Sequence, residues 1–265
     1  MARLYLRKVL LDIIPAAGAT RRIEDLRVKF KCEKNNESHP NSCELQIFNL
    51  SDKSRTLLEA KNTRVNLQVG YEKTVETVFL GDVTKVVHER KEADVITKVT
   101  LADGDNHFRN ARLDKGYPPG IKTKDIFSDL ANALGLPLGP QQGIPDSSYA
   151  NGLTLSGLVR DHLNNLCKKN NLEWSIQDET LQIIPEGESI IETEIFLSPD
   201  TGLVGFPAKT AKGVEFTSLI QPKLRPGRKV KIDSRTLKGT FKIRKMVHEG
   251  DSHQEDFLSK GEATR

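Results

Sequence analysis

The pentapeptide Lys85-Val86-Val87-His88-Glu89 returns late in the chain as Lys245-Met246-Val247-His248-Glu249. Each copy follows an extended stretch and a turn: Arg64-Val65-Asn66-Leu67 leads to the first, Lys229-Val230-Lys231-Ile232 to the second. Apolar and polar residues that alternate with a period of two mark a strand with one buried face. The echo therefore predicts two β-hairpins of one design, with Val65, Leu67, Val230 and Ile232 facing the cores and Lys85, His88, Lys245 and His248 in equivalent strand positions. Short hairpins of alternating charge also look alike by chance. The alternative is a pair of related β-domains in one subunit, three of which would present six near-equivalent units in a ring.

The same alternation recurs in Leu26-Val28-Phe30-Cys32, Cys43-Leu45-Ile47, Val65-Leu67-Val69 and Val95-Thr97-Val99-Leu101, so the first 110 residues read as strands. Ser51 to Lys61, with Leu57 and Leu58 behind a Ser51 cap and no Gly or Pro, predicts a short helix. After Tyr117-Pro118-Pro119-Gly120 the spacing turns helical. Ile126, Phe127, Leu130 and Leu134 form one stripe behind a Thr123 cap, and Gly135 supplies the left-handed stop. Leu155, Leu158, Val159, His162, Leu163 and Leu166 form a second stripe, followed by a hairpin through Trp174, Ile176, Leu181 and Ile183. From about Ile190 strands return, punctuated by Pro and Gly. The expected fold is mainly β, α+β overall: a first β-domain over 1–110, an inserted α+β module over 111–190 and a second β-domain over 191–265. Gly70, Gly81, Pro226, Gly227 and Gly239 are expected to set turns.

Forty basic and 36 acidic residues nearly cancel, and no dense Lys/Arg block of the kind that binds nucleic acid by counterion release occurs. Three cysteines, Cys32, Cys43 and Cys167, are an odd count without Cys-x-x-Cys spacing, which predicts reduced thiols rather than a zinc site or disulfide framework. The apolar stretch after Lys8 is interrupted by Asp12, so it reads as a strand and a turn rather than a signal peptide. No run approaches the ~20 apolar residues that cross a bilayer.

Catalytic constellations are missing from the pattern. Gly120-Ile121-Lys122-Thr123 lacks the glycine that a phosphate loop places before its lysine, and no Gly-x-Ser-x-Gly or His-Glu-x-x-His occurs. His248, Glu249, Asp251, His253, Glu255 and Asp256 are metal-ligating types at short spacing, but charged residues near a hairpin turn are ordinarily solvated. Neither a metal nor a cofactor is expected. His162 reads as a boundary histidine and Trp174 as core. A cell-wall-binding or muralytic protein acting through the inserted module is the rival reading. Only Tyr117, Tyr149 and Trp174 offer stacking surfaces there, and no carboxylate pair stands out.

Several stretches, in order, resemble phage baseplate hub proteins. Ile23-Glu24-Asp25-Leu26-Arg27-Val28-Lys29-Phe30, Phe48-Asn49-Leu50-Ser51, Val69-Gly70-Tyr71 and Phe79-Leu80-Gly81-Asp82 are similar to the family's opening. Glu173-Trp174-Ser175-Ile176-Gln177-Asp178 and Thr201-Gly202-Leu203-Val204-Gly205-Phe206-Pro207 resemble its inserted module and the following link. Leu224-Arg225-Pro226-Gly227-Arg228 and His248-Glu249-Gly250-Asp251-Ser252-His253 resemble its last domain. The family continues with a Gly and a Trp after the last His, where Gln254 and Phe257 stand here. The resemblance implies tail-tube-like β-barrel domains flanking the insertion and a non-enzymatic homotrimer, a pseudo-six-fold ring between a hexameric tail tube and a trimeric central spike. Tape-measure protein and then DNA would pass through its lumen, the latter without sequence preference, and other baseplate proteins would surround it. It would reside in the virion after assembly in the bacterial host cytoplasm.

Overall fold

A computed structural model describes residues 6–72, 74–141, 143–190, 194–254 and 257–265. Contacts divide the chain into two units, one of Met1–Asn35, Asn41–Asp103 and Glu192–Arg265, the other of Asn36–Pro40 and Gly104–Ile191.

The first unit opens with β1 (Arg7–Ile14), β2 (Arg21–Ile23), β3 (Val28–Asn35), β4 (Ser42–Phe48), α1 (Asp52–Glu59), β5 (Arg64–Tyr71), β6 (Thr74–Lys91) and β7 (Asp94–Ala102). The second unit follows with α2 (Asp105–Asn110), β8 (Lys115–Tyr117), β9 (Ile121–Lys122), α3 (Thr123–Leu134), β10 (Ser148–Tyr149), β11 (Leu153–Leu155), α4 (Val159–Lys169), β12 (Leu172–Gln177) and β13 (Thr180–Pro185). The chain then returns to the first unit with β14 (Ile195–Leu197), a 3-10 turn, β15 (Leu203–Thr210), β16 (Gly213–Leu219), β17 (Lys229–Asp233), β18 (Lys238–Asp251) and β19 (Phe257–Thr264).

The fold is mainly β. All strands of the first unit join one 13-stranded sheet in the order β15-β16-β19-β18-β3-β4-β7-β6-β5-β1-β2, with β17 beside the first part of β18 and β14 beside β17. Strict alternation puts every second residue inside: Val28, Phe30 and Cys32 on β3, Cys43, Leu45 and Ile47 on β4, Val65, Leu67 and Val69 on β5. These gather one core with β1 and α1, while Leu197, Val214, Phe216, Val230, Ile232, Phe241, Ile243 and Met246 gather another. Phe257 meets Tyr71 of β5 at 5.5 Å and Phe30 of β3 at 5.9 Å, both edge-on. Those two strands are separated by three others in the sheet order, so the sheet curls around this ring, although no ladder among the described residues closes it. Gly250 makes the arrangement possible, since a Cβ there would lie 2.6 Å from the Phe257 ring and 2.8 Å from Phe30.

Ser51 caps α1 as expected, its Oγ accepting from the Ser54 amide at 3.4 Å. Thr123 is not a cap. It is the first residue of α3, and its hydroxyl donates to the Ser147 carbonyl at 3.0 Å. The second apolar stripe is shorter as a helix than its spacing suggests, because Leu155 belongs to β11 and Leu158 precedes α4. Ile126, Phe127, Leu130, Val159, Leu163 and Trp174 form the core of this unit. The Trp174 indole donates to Asn164 Oδ1 at 2.9 Å and stacks on Phe108.

Three of the expected turn glycines lie inside strands. Gly70 is in β5 opposite Val75, and a Cβ there would overlap the Thr74 carbonyl. Gly81 is in β6, where a Cβ would come within 2.6 Å of the Ala102 carbonyl. Gly239 follows its turn inside β18 with φ 156°. Close backbone approach, rather than reversal of the chain, demands glycine at the first two. Pro226-Gly227 does form a turn, with Gly227 at φ 84° and its amide donating to the Ile243 carbonyl at 2.9 Å.

The expectation of reduced thiols fails for one pair: Cys32 and Cys43 face each other across β3 and β4 and are joined in a disulfide. Counting cysteines could not reveal this, because the strand register decides which sulfurs meet. Cys167 is free and buried, and burial pushes its thiol pKa up to about 12. Unfolding without reductant and adding an alkylating agent is expected to modify Cys167 alone. Modification of all three sulfurs in that sample would refute the pairing.

Candidate assembly surface

The two copies of the pentapeptide lie on β6 and β18, each the middle strand of an antiparallel trio. β6 pairs with β5 through its first half and with β7 through its second; β18 pairs likewise with β17 and β19. On β6, Val83 faces Leu101, the register then shifts, and Lys85 faces Thr100. On β18, Ile243 faces Ala263, the register shifts in the same way, and Lys245 faces Glu262. One residue, Thr84 or Arg244, is thus bulged out, which increases local twist and re-aims the residues beyond it. Past the bulge Val87 faces Lys98 and His88 faces Thr97, while Val247 faces Lys260 and His248 faces Ser259.

The histidines make matching hydrogen bonds in different surroundings. His248 is fully buried, with Nδ1 2.8 Å from Ser259 Oγ and Nε2 3.1 Å from the Leu224 carbonyl. A carbonyl only accepts, so Nε2 carries the proton and Nδ1 receives the Ser259 hydroxyl, which itself accepts the Gln221 amide at 3.0 Å. His88 places Nδ1 3.1 Å from Thr97 Oγ1 and Nε2 3.0 Å from Glu59 Oε1. Its outer partner is an exposed carboxylate at the end of α1 rather than a buried carbonyl.

Opposite the cores, strand alternation gives the sheet a polar face with two shallow grooves. Glu44, Gln46, Lys85, Val87, Glu89 and Lys98 line one, and Glu215, Thr217, Lys245, Val247, Lys260 and Glu262 line the other. Charges on this face pair locally: Lys98 with Glu89 at 2.8 Å, Lys31 with Glu33 at 2.9 Å, and Lys260 with Glu249. Glu33 is held below its ordinary pKa, first by the Lys31 hydrogen bond.

Where the second half of the sheet meets the first, β18 runs antiparallel to β3, with Val247 opposite Glu33, Glu249 opposite Lys31 and Asp251 opposite Lys29. Arg27 clamps that junction by donating to Asp251 Oδ1 at 3.3 Å and Oδ2 at 2.8 Å. The acidic-and-histidine cluster read from the sequence is dispersed. His248 points into the core, Glu249 pairs with Lys260 on the opposite face, Asp251 is held by Arg27, and His253 Nδ1 lies against Ser252. Glu255 and Asp256 lie outside the described residues. Among those described, no three His, Cys, Asp or Glu side chains come close enough to hold a metal.

The stacking surfaces of the inserted unit are spent internally. Trp174 and Tyr117 are buried, and Lys169 covers the Tyr149 ring at 4.8 Å. Lys122, read against a phosphate loop, pairs with Asp146 at 3.2 Å. His162 lies half-buried on α4, and its Nε2 is buried with no hydrogen-bond partner among the described residues. Sequence reasoning missed the Arg27–Asp251 clamp and the exposed Phe206 on β15. The Gly205-Phe206-Pro207 triplet was the visible signal for the latter.

This architecture is shared with proteins of phage tails and related machines. The 43 kDa tail protein of prophage MuSo2 from Shewanella oneidensis superposes with a TM-score of 0.67 at 11% identity, covering 98% of each chain. A tail protein from Neisseria meningitidis MC58 gives 0.66 at 9% identity over 98% of this chain and 97% of that one. The c3393 protein of E. coli, a component of the type VI secretion system, gives 0.62 at 12% identity over 91% and 73%. Comparison with curated protein sequences finds no match. The family model Baseplate hub gp41 matches residues 16–263, and the chain belongs to that family. By family it is a baseplate hub protein, and its fold is one that phage-tail proteins share.

Proposed function

We propose that this chain is the structural hub subunit of a phage tail. Three copies form a ring, and the two β-halves of each chain act as near-equivalent domains, so the ring offers six similar units to the hexameric tube and three-fold symmetry to the central spike. Tape-measure protein and then DNA pass through the lumen, and the ring is held in the virion baseplate without catalysing a reaction. The observation that carries this reading is the doubled ladder: β5-β6-β7-β4 and β17-β18-β19-β16 share strand order, bulge position and the histidine-to-hydroxyl pair. The paired charges of the polar face support its facing the lumen, because a surface neutralised by its own partners holds a passing polyanion weakly.

The test is the mass of the purified chain with and without the spike protein encoded beside it. A trimeric mass in the mixture is expected, and a monomer in both samples counts against the hub. Hydrolysis of purified cell wall by the isolated chain would favour the muralytic rival, which the buried Trp174 and Tyr117 disfavour.

A further inference from the structure

We propose that the side chains of Lys34 and Asn41 join in an amide bond inside the first core, an intramolecular crosslink that the folded chain forms by itself with loss of ammonia.

The residues meet through the strand register. On β3 every second side chain faces the core, and the alternation that buries Val28, Phe30 and Cys32 carries on to Lys34, which is 1% exposed. Cys32 faces Cys43 and Glu33 faces Ser42, so the next step of that register sets Lys34 against Asn41, which is 2% exposed. β7 continues the row: Ser42 faces Ala102, and the amide of the fully buried Asp103 donates to the Asn41 carbonyl at 3.0 Å. Neighbours in such a row hold their Cβ atoms ~5 Å apart on one face of the sheet. Lys34 sends its Nζ inward, to 5.6 Å from the centre of the Phe79 ring of β6, and Met246 of β18 stands opposite it on the other side. A buried lysine near a buried aspartate is ordinarily an ion pair. The primary amide set between them adds the chemistry.

Away from water two separate charges are costly, so passing a proton from the Lys34 ammonium to the Asp103 carboxylate leaves a neutral amine, the nucleophilic form. Asn41 Oδ1 already accepts the Asn35 backbone amide at 2.9 Å, a donor that polarises the side-chain carbonyl and holds its oxygen as negative charge develops. Nζ attacks Cγ, and the carbonyl π pair moves onto Oδ1. Asp103 gives its proton to Nδ2 and takes one from Nζ, the Cγ–Nδ2 bond breaks, and ammonia leaves. An ammonium, a carboxylate and a primary amide thereby become a secondary amide, a carboxylic acid and ammonia, with no oxidant or cofactor consumed. Fixing the amine and the amide on facing strands supplies the proximity that free reactants lack. The bond lies one inward-facing pair beyond Cys32–Cys43. Being an amide, it keeps β3 tied to the start of β4 under reducing conditions that open the disulfide.

The test is the intact mass of the purified full chain after reduction, followed by a tryptic digest. Folded protein is expected to be lighter than its sequence by one molecule of ammonia. The peptide from Cys32 to Lys53 should stay uncut after Lys34 and carry the whole of that loss. Chain recovered in denaturant from insoluble material should start at full mass and lose the ammonia only on refolding, at a rate independent of protein concentration. Asp103→Asn keeps the volume but cannot take up a proton, and its folded form should retain the full mass; if that variant fails to fold, the refolding series decides alone. Full mass in the refolded chain after prolonged incubation overturns the crosslink. So does an ammonia loss that maps elsewhere, such as to Asn151-Gly152, or a loss of water that joins Lys34 to Asp103 instead. A crosslink that still forms in Asp103→Asn removes Asp103 as the proton carrier. The readout is covalent and lies within one chain, so it stands apart from whether three copies form a ring.

Discussion

His248→Leu is expected to cost about 2–4 kcal/mol of stability, read as a lower midpoint in urea or guanidinium unfolding. The substitution keeps the volume but strands two groups that have no access to water: the Ser259 hydroxyl loses its acceptor and the Leu224 carbonyl its donor. Leaving buried polar groups unpaired is what makes such a change expensive, more than the loss of the bonds themselves. The matching change His88→Leu is expected to cost less, about 1–2 kcal/mol, because only the buried Thr97 hydroxyl loses its partner while Glu59 stays solvated. Equal costs at the two positions would show that burial does not separate them.

The second large effect concerns the junction of β3 and β18. Asp251 receives Arg27 through both oxygens, the His253 amide at 2.9 Å and Lys29 at 3.5 Å. Burial works to raise its pKa, but the Arg27 hydrogen bonds, the His253 amide and the two cations outweigh burial and hold the carboxyl below its usual value. Asp251→Asn is expected to destabilise the chain by about 2–3 kcal/mol at neutral pH, since it leaves a half-buried guanidinium without its counter-charge. The pH dependence has a definite sign. A carboxyl whose folded pKa is depressed binds fewer protons folded than unfolded, so its contribution is complete above the ordinary Asp value of ~3.9 and fades as pH falls through the folded value. The difference in unfolding free energy between the unsubstituted chain and the Asp251→Asn variant should be constant from neutral pH to about 5 and shrink below about 4. A difference independent of pH down to about 2 would mean that the ion pair contributes nothing.

The β-strands were legible because their burial follows alternation so closely. Leu45, Val65, Leu67 and Val230, read as inward from period alone, are all buried. The apolar stripes of α3 and α4 were legible for the same reason at helical period, and only their ends moved, where capping geometry competes with short β-pairings such as β11 on β8. Gly70 and Gly81 were visible as glycines but misassigned to turns, since a sequence does not reveal which backbone will pass close by. The Cys32–Cys43 disulfide was missed on the same ground: the residues sit on adjacent strands, and only their pairing register puts them face to face.

What the sequence determined by itself is the local alphabet: which segments are strands or helices, which face of each is apolar, and that one strand motif occurs twice. These properties depend on neighbours within a few residues, so a linear string records them. Only the tertiary structure decided that both motif copies sit just past an identical bulge, that one histidine is sealed while the other meets solvent, and that β3 receives β18 while β6 and β15 keep bare edges. Each of these depends on which distant strands hydrogen-bond and in what register, a choice made by packing the whole sheet around its cores rather than by any single segment.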